Sequence, residues 1–228
     1  MVSRQIRYTM KSNEALQKDV QDAIKWEPLL NAAEIGVTVK DGIVTLTGTV
    51  NTYAKKIQAE DAVKKTAGVK ALVENLQVHF DCETKKTDSE IATEVLSALR
   101  WNWEVSNDTM NVKVEDGWVT LEGELQWNFQ KEAAKNSVNN LKCIKGITNN
   151  ITIKTDKNDL IEKKDIERAL EVNWSINERN IVVVVEGSNV RLSGSVESLY
   201  EKDEAGRIAW NAPGVWTVEN NLVIDYNV

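Results

Sequence analysis

Several residue types are scarce in this sequence, and each scarcity removes a class of protein. With 2 prolines and 11 glycines among 228 residues it is not a proline-rich or glycine-rich low-complexity chain. Its 2 cysteines, Cys82 and Cys143, are too few for a disulfide scaffold and too far apart in sequence for a metal knuckle. That count fits a reducing compartment, a single bridge being the alternative. One histidine, His79, leaves little material for acid–base or metal chemistry. There is no lysine/arginine block, and 28 Lys+Arg against 35 Asp+Glu give a net charge of −7, so nucleic acid is not an expected partner. The first thirty residues hold no apolar run of signal-peptide or membrane-span length. They read as a soluble, cytoplasmic chain without a transmembrane segment, or as a periplasmic one from which an export signal was removed.

What is present is a repeat. Gly36-Val-Thr-Val-Lys-Asp-Gly-Ile-Val-Thr-Leu-Thr-Gly48 returns as Asn111-Val-Lys-Val-Glu-Asp-Gly-Trp-Val-Thr-Leu-Glu-Gly123 and as Val182-Val-Val-Val-Glu-Gly-Ser-Asn-Val-Arg-Leu-Ser-Gly194, at offsets of 75 and then 71. The offsets also relate Ala23, Ala98 and Ala169, and Asn75, Asn150 and Asn221. The chain divides into an N-terminal arm (1–11), three copies (12–80, 87–155 and 158–228) and two linkers (81–86 and 156–157).

Within a copy, Leu16, Val20, Ala23 and Ile24 recur at helical spacing, as do Ile91, Val95, Ala98 and Leu99, and Ile166, Ala169 and Leu170. Thr87 with Glu90 and Asp159 with Glu162 have capping-box spacing. Alternation follows: Ile35, Val37 and Val39, then Asp41-Gly42, then Val44, Leu46, Gly48 and Val50. Asp-Gly between alternating runs predicts a type I′ hairpin, and Gly187-Ser188 a type II′ turn. A two-residue turn sets Val39 opposite Val44, Val37 opposite Leu46 and Ile35 opposite Gly48. Gly48, Gly123 and Gly194 are then expected on the buried face, where a missing side chain lets a helix approach. A second helix and a last strand carrying Leu76, Val78 and Phe80 complete an α+β unit of order αββαβ, two helices on one face of a three-stranded mixed sheet. The right-handed crossover rule makes the last strand parallel to the second.

This pattern resembles the BON domain, whose signature is a Val-x-Val-x-Asp-Gly-x-Val-x-Leu-x-Gly-x-Val hairpin, an alanine-containing helix, Gly-Val and then Val-x-Asn. Residues 37 to 50, 68-69 and 73-75 match it in the first copy. Cys143-Ile144 departs from Gly-Val in the second copy, and Gly187-Ser188 from Asp-Gly in the third. The resemblance covers three tandem units. It implies a bacterial, non-enzymatic protein of osmotic or envelope stress, attached to phospholipid membrane or an envelope protein, and one relative with another companion domain binds potassium.

Candidate residues are few. His79 with Cys82 lacks an orienting third group, and with Asp81 lacks a fourth metal ligand, so no catalytic residue, metal site or cofactor is expected. Asp41-Gly42 and Asp116-Gly117 are turns, without the repeated oxygens calcium requires. Lys56, Lys131 and Lys202 recur at the start of the second helix and read as a solvated face, or as a site for an anionic partner. Asn75, Asn150 and Asn221 read as loop residues that satisfy backbone groups before the last strand. Seven of 8 tryptophans fall in the last two copies. Trp26, Trp101, Trp103 and Trp174 follow the first helices, Trp118 follows a hairpin turn, and Trp127 lies beyond the second strand. They suit contacts between copies, and otherwise a membrane or partner surface. Val182 and Val184, apolar where the second copy has Asn111 and Lys113, should be covered by another copy, a second subunit of a homo-oligomer, or a ligand. The reading favoured is a non-catalytic binding or scaffold protein working by multivalency. The alternative is a soluble cytoplasmic sensor of a small ligand or a monovalent cation such as potassium.

Overall fold

A computed structural model describes residues 11–79, 86–105, 110–154, 163–173 and 180–225. Trp174, Cys82, Phe80, Asp81, the pair Asp159 and Glu162, most of the arm and most of both linkers lie outside the described residues. The first copy comprises α1 (Asn13–Lys25), a 3-10 turn (Ala32–Glu34), β1 (Ile35–Lys40), β2 (Ile43–Val50), α2 (Tyr53–Lys64) and β3 (Ala71–Val78). The second runs α3 (Asp88–Trp101), β4 (Met110–Glu115), β5 (Trp118–Leu125), α4 (Asn128–Asn139) and β6 (Gly146–Ile153). The third runs α5 (Lys163–Val172), β7 (Ile181–Glu186), β8 (Asn189–Val196), α6 (Leu199–Asn211) and β9 (Thr217–Ile224).

Each copy is αββαβ, with its second strand at the centre of the sheet, antiparallel to the first and parallel to the third. The hairpin register follows from turn chemistry. Asp41 and Gly42 have φ of 54° and 82°, as do Asp116 and Gly117 at 51° and 78°, the two left-handed residues of a type I′ turn. In the third copy Gly187 alone is left-handed, at 62°, as type II′ requires. Ile35 thus faces Gly48, Val37 faces Leu46 and Val39 faces Val44.

The helices cover one face because their apolar residues recur every fourth position. Leu16, Val20 and Ile24 of α1 are buried, as are Ile91, Val95 and Leu99 of α3 and Ile166 and Leu170 of α5. These stripes meet Val44, Leu46 and Leu76 in the first copy and their counterparts in the others, giving one core per copy. Thr87 and Glu90 form the expected capping box at α3.

Two expectations about local structure are corrected. Gly48 is not a gap for a helix. It has φ of 124°, and a Cβ there would strike the carbonyl oxygen of Glu34, the residue entering β1. Gly194, at 116°, meets the Asn180 carbonyl in the same way, and Gly123 has φ of 145°. The glycine is required by backbone crossing backbone and by a left-handed φ. Asn75, Asn150 and Asn221 are not loop residues. Parallel pairing uses the full length of β2 from Ile43 opposite Ala71, so the third strand begins earlier and holds all three asparagines mid-strand, exposed.

The copies contact one another in a cycle. From the first to the second, buried Tyr53 at the start of α2 sets its hydroxyl against the Ile147 backbone of β6. From the second to the third, Glu132 of α4 faces Arg207 of α6. From the third to the first, Leu199 packs on the first core, Asp203 pairs with Lys64 at 2.9 Å, and the Lys65 ammonium lies 5.8 Å from the Tyr200 ring centroid. In each case the first half of one copy's second helix meets the next copy, so three head-to-tail contacts close a ring.

Candidate binding surfaces

The recurring lysines do not form a solvated face. The Lys56 ammonium lies 2.7 Å from the Glu74 carboxylate and donates to the Leu76 carbonyl at 3.2 Å. Lys202 donates to the Leu222 carbonyl at 2.7 Å. Lys131 is half-buried and lines a cleft between copies. The stem packs while the ammonium caps a strand carbonyl, which ties the second helix to the third strand. The partners come from a position the sequence reading passed over, Glu74, Asn149 and Asn220. Asn149 and Asn220 donate to the Lys131 and Lys202 carbonyls at 3.2 and 2.6 Å and accept from the Ile151 and Leu222 amides, while Glu74 accepts from the Leu76 amide at 2.7 Å. Its neighbour Asn75 had drawn attention because asparagine recurs there without variation.

The described tryptophans after the first helices do not join copies. Trp26, Trp101 and Trp103 are 84%, 86% and 89% exposed. For the first two the reason lies in helical phase: each stands two residues, or about 200° of rotation, past the last buried residue of its stripe, Trp26 after Ile24 and Trp101 after Leu99, while Trp103 lies beyond the end of α3. The same offset carries Val172 past Leu170, and Val172 is 76% exposed. Trp26, Trp101 and Val172 are the same position in three copies, so every first helix ends in a bare apolar residue. Leu29 in the first copy is exposed as well. Lys25 precedes Trp26 and Arg100 precedes Trp101 in the last helical turn. Val172 and Leu29 were absent from the sequence reading, although the 71-residue offset from Trp101 points to Val172.

Other candidates lie elsewhere. Trp118 is half-exposed on the outer sheet face, its ring filling the place a side chain at Gly146 would take. Trp127 precedes α4 and is half-buried. Val182 and Val184 are not covered by another copy: they stand on the outer face of β7, 55% and 37% exposed. His79 is exposed beyond β3, its amide donating to the Val50 carbonyl at 2.7 Å. Cys143 is disulfide-bonded, the alternative that the cysteine count left beside a reducing compartment. A cleft of about 940 Å³ lies between α2, α4 and α6, with Trp210 and Trp216 on its third-copy wall. Among the described residues, no group of three His, Cys, Asp or Glu could hold a metal ion, and no helix is long and apolar enough to cross a membrane.

The class defined by these features is a tandem array of three small α+β modules closed into a ring, presenting apolar tips and a cleft between copies. A family model for the BON domain matches residues 12–79, 87–155 and 158–226, and the chain belongs to that family. It is 25% identical over 143 residues to Osmotically-inducible protein Y of Escherichia coli (strain K12), covering 59% of this chain and 71% of that protein. Among solved structures it is similar to the C-terminal domain of CdsD, a structural protein of the type III secretion system of Chlamydia trachomatis. The two share 17% identity with a TM-score of 0.26, covering 92% of this chain and 97% of that one. A second CdsD structure gives 16% identity and a TM-score of 0.26, covering 91% of each.

Proposed function

We propose that this chain is a non-catalytic binding protein of bacterial osmotic or envelope stress, docking on a phospholipid surface through the apolar ends of its first helices. The observation that carries this reading is the recurrence of an exposed apolar residue at one position in all three copies, Trp26, Trp101 and Val172. Three such tips are carried by one chain, and weak contacts joined in one body multiply. An indole beside a cation, as at Lys25-Trp26 and Arg100-Trp101, suits the bilayer interface, where the ring sits among headgroups and the cation meets phosphate. The name of the Escherichia coli relative supports the stress association. The disulfide at Cys143 supports an oxidising compartment such as the periplasm.

The net charge of −7 opposes anionic bilayers. Binding is therefore expected to neutral phosphatidylcholine vesicles, with little gain from phosphatidylglycerol. An indole burying about 100 Å² at about 25 cal/mol/Å² contributes about 2.5 kcal/mol, more than tenfold in partitioning. Co-sedimentation of the chain and of a Trp26→Ser, Trp101→Ser, Trp103→Ser variant tests the reading. Loss of vesicle binding in the variant supports it. No binding by the parent chain to either vesicle moves the tips to a protein partner of the envelope and ends the lipid version.

A further inference from the structure

The recurring lysine of the second helix is tied down in two copies and released in the other. In the first copy Lys56 stands one turn before Glu60 on α2 and 2.7 Å from Glu74 of β3, and its ammonium also donates to the Leu76 carbonyl. In the third copy Lys202 donates to the Leu222 carbonyl at 2.7 Å. In the second copy the 75-residue offset puts Lys135 where the first has Glu60, and Asn149 where it has Glu74. Both carboxylates are gone, and a second cation replaces one of them. Among the described residues neither the Lys131 nor the Lys135 ammonium makes an ion pair or a hydrogen bond.

Lys131 and Lys135 are both half-buried, lie one turn apart on α4, and line the cleft of about 940 Å³ between α2, α4 and α6. Two ammoniums at that spacing, on Cβ atoms about 6 Å apart, repel each other, and partial burial removes water that would screen them. The carboxylates on the cleft walls are directed to two other cations. Asp203 pairs with Lys64 at 2.9 Å, and Asp61 acts on the same ammonium. Glu204 accepts from Arg207 at 2.7 Å, and Glu132 faces that guanidinium. Lys65, a third lysine on the cleft, lies over the Tyr200 ring and not on a carboxylate. The second copy thus lacks an anion where the first supplies its own.

We propose that the cleft binds a soluble phosphate monoester, its phosphoryl group held by Lys131 and Lys135 in place of the Glu60 and Glu74 carboxylates, its organic part against Trp210 and Trp216. Such an ester carries about two negative charges at neutral pH, one for each ammonium. Lysine meets phosphate as a point charge, whereas a carboxylate is best held by a guanidinium fork, and the Arg207 fork is closed on Glu204 through both Nε and Nη2. On the third-copy wall Trp216 is 47% exposed and Trp210 half-buried, so indole surface is open to an apolar ester group.

Calorimetric titration of the full chain with phenyl phosphate tests the proposal, with phenol, potassium chloride at matched ionic strength, and phosphatidic acid vesicles as separate arms. Phenyl phosphate is expected to bind and to raise the thermal midpoint; phenol and potassium chloride are not. Lys131→Gln removes an ammonium that holds nothing in the fold and should weaken binding at least about tenfold. Lys135→Glu, which copies Glu60, gives Lys131 an internal anion and should abolish binding without lowering the midpoint. Lys18→Glu, at an exposed position of α1, makes the same change in net charge and should leave the affinity unchanged. Absence of phenyl phosphate binding, a response matched by phenol or potassium chloride, unchanged affinity in either cleft variant, an equal loss in Lys18→Glu, or binding confined to the vesicles overturns the proposal.

Discussion

Lys64 of the first copy pairs with Asp203 of the third at 2.9 Å, across 139 residues of chain, and that contact closes the ring. The counterparts of this pair are Glu132 with Trp210 at the next joint and Ile57 with Asn139 at the last, so each joint has its own chemistry and the order of the copies is specified. The ion pair is part-exposed and contributes little by itself, up to about 1 kcal/mol. Closure matters more. A head-to-tail interface closes or propagates, and here three copies in one chain use it up.

The full chain is therefore expected to be a monomer, although the sequence left a homo-oligomer open. Removing residues 156–228 uncovers the first core where Leu199 packs and the face of α4 that meets α6. Light scattering should give a single-chain mass for the parent and a larger mass for the truncated chain. A truncated chain that remains monomeric would show that the joints are too weak to drive association.

Glycine substitutions should separate two kinds of left-handed backbone. Gly187 has φ of 62° with open space where a Cβ would go, so Gly187→Ala costs only backbone strain, about 1–2 kcal/mol. Gly194 has φ of 116° and the Asn180 carbonyl in the way, so Gly194→Ala adds displacement of the chain entering β7 and should cost at least twice as much. Hydrogen exchange of the third-copy amides in the full chain reads the difference.

The repeat, its αββαβ order and the hairpin register were legible because turn chemistry and period-two alternation are local properties. Asp41-Gly42 could be recognised without knowing what packs on it. The joints were not legible, because Tyr53 and Leu199 look unrelated until the offsets align them, and what they meet is on other copies. The lysine tie escaped for a similar reason: the acceptors of Lys56 and Lys202 are main-chain carbonyls 20 residues away, which side-chain identity does not announce. The tips were half legible. Trp26 and Trp101 stood out as indoles, but their exposure depends on helical phase, which becomes certain only once Ile24 and Leu99 are known to be buried.

Acidity should act through Glu60. Burial pushes its carboxyl above the ordinary value of 4.5, the Glu74 carboxylate adds to the rise, and Lys64 and Lys56 offset part of it. The folded chain thus holds this proton to higher pH than the unfolded chain does. Stability from Glu60 falls as pH climbs from the ordinary carboxylate range through the raised value. Glu204 has the opposite sign, because its hydrogen bond from Arg207 lowers it, and that contribution is lost on acidification below 4.5. Glu60→Gln should raise the thermal midpoint at pH 7 and reduce its change between about pH 5 and pH 7. An unchanged profile would mean Glu60 titrates as if unfolded.

Reduction should weaken the second copy. Cys143 occupies the position held by Gly68 in the first copy and Gly214 in the third, all three with left-handed φ of 67°, 108° and 83°. A side chain in that conformation costs about 1 kcal/mol, and at Cys143 a disulfide offsets the cost. In non-reducing buffer the parent should be about 2–4 kcal/mol more stable than Cys143→Gly, through restriction of the unfolded chain. In reducing buffer the two should differ by no more than about 1 kcal/mol, because glycine relieves the strained backbone while giving up the burial of the thiol. Thermal midpoints of both proteins with and without dithiothreitol measure this. A parent midpoint that does not move on reduction would show that the bond restrains nothing in the unfolded chain, and the inference of an oxidising compartment would lose its support.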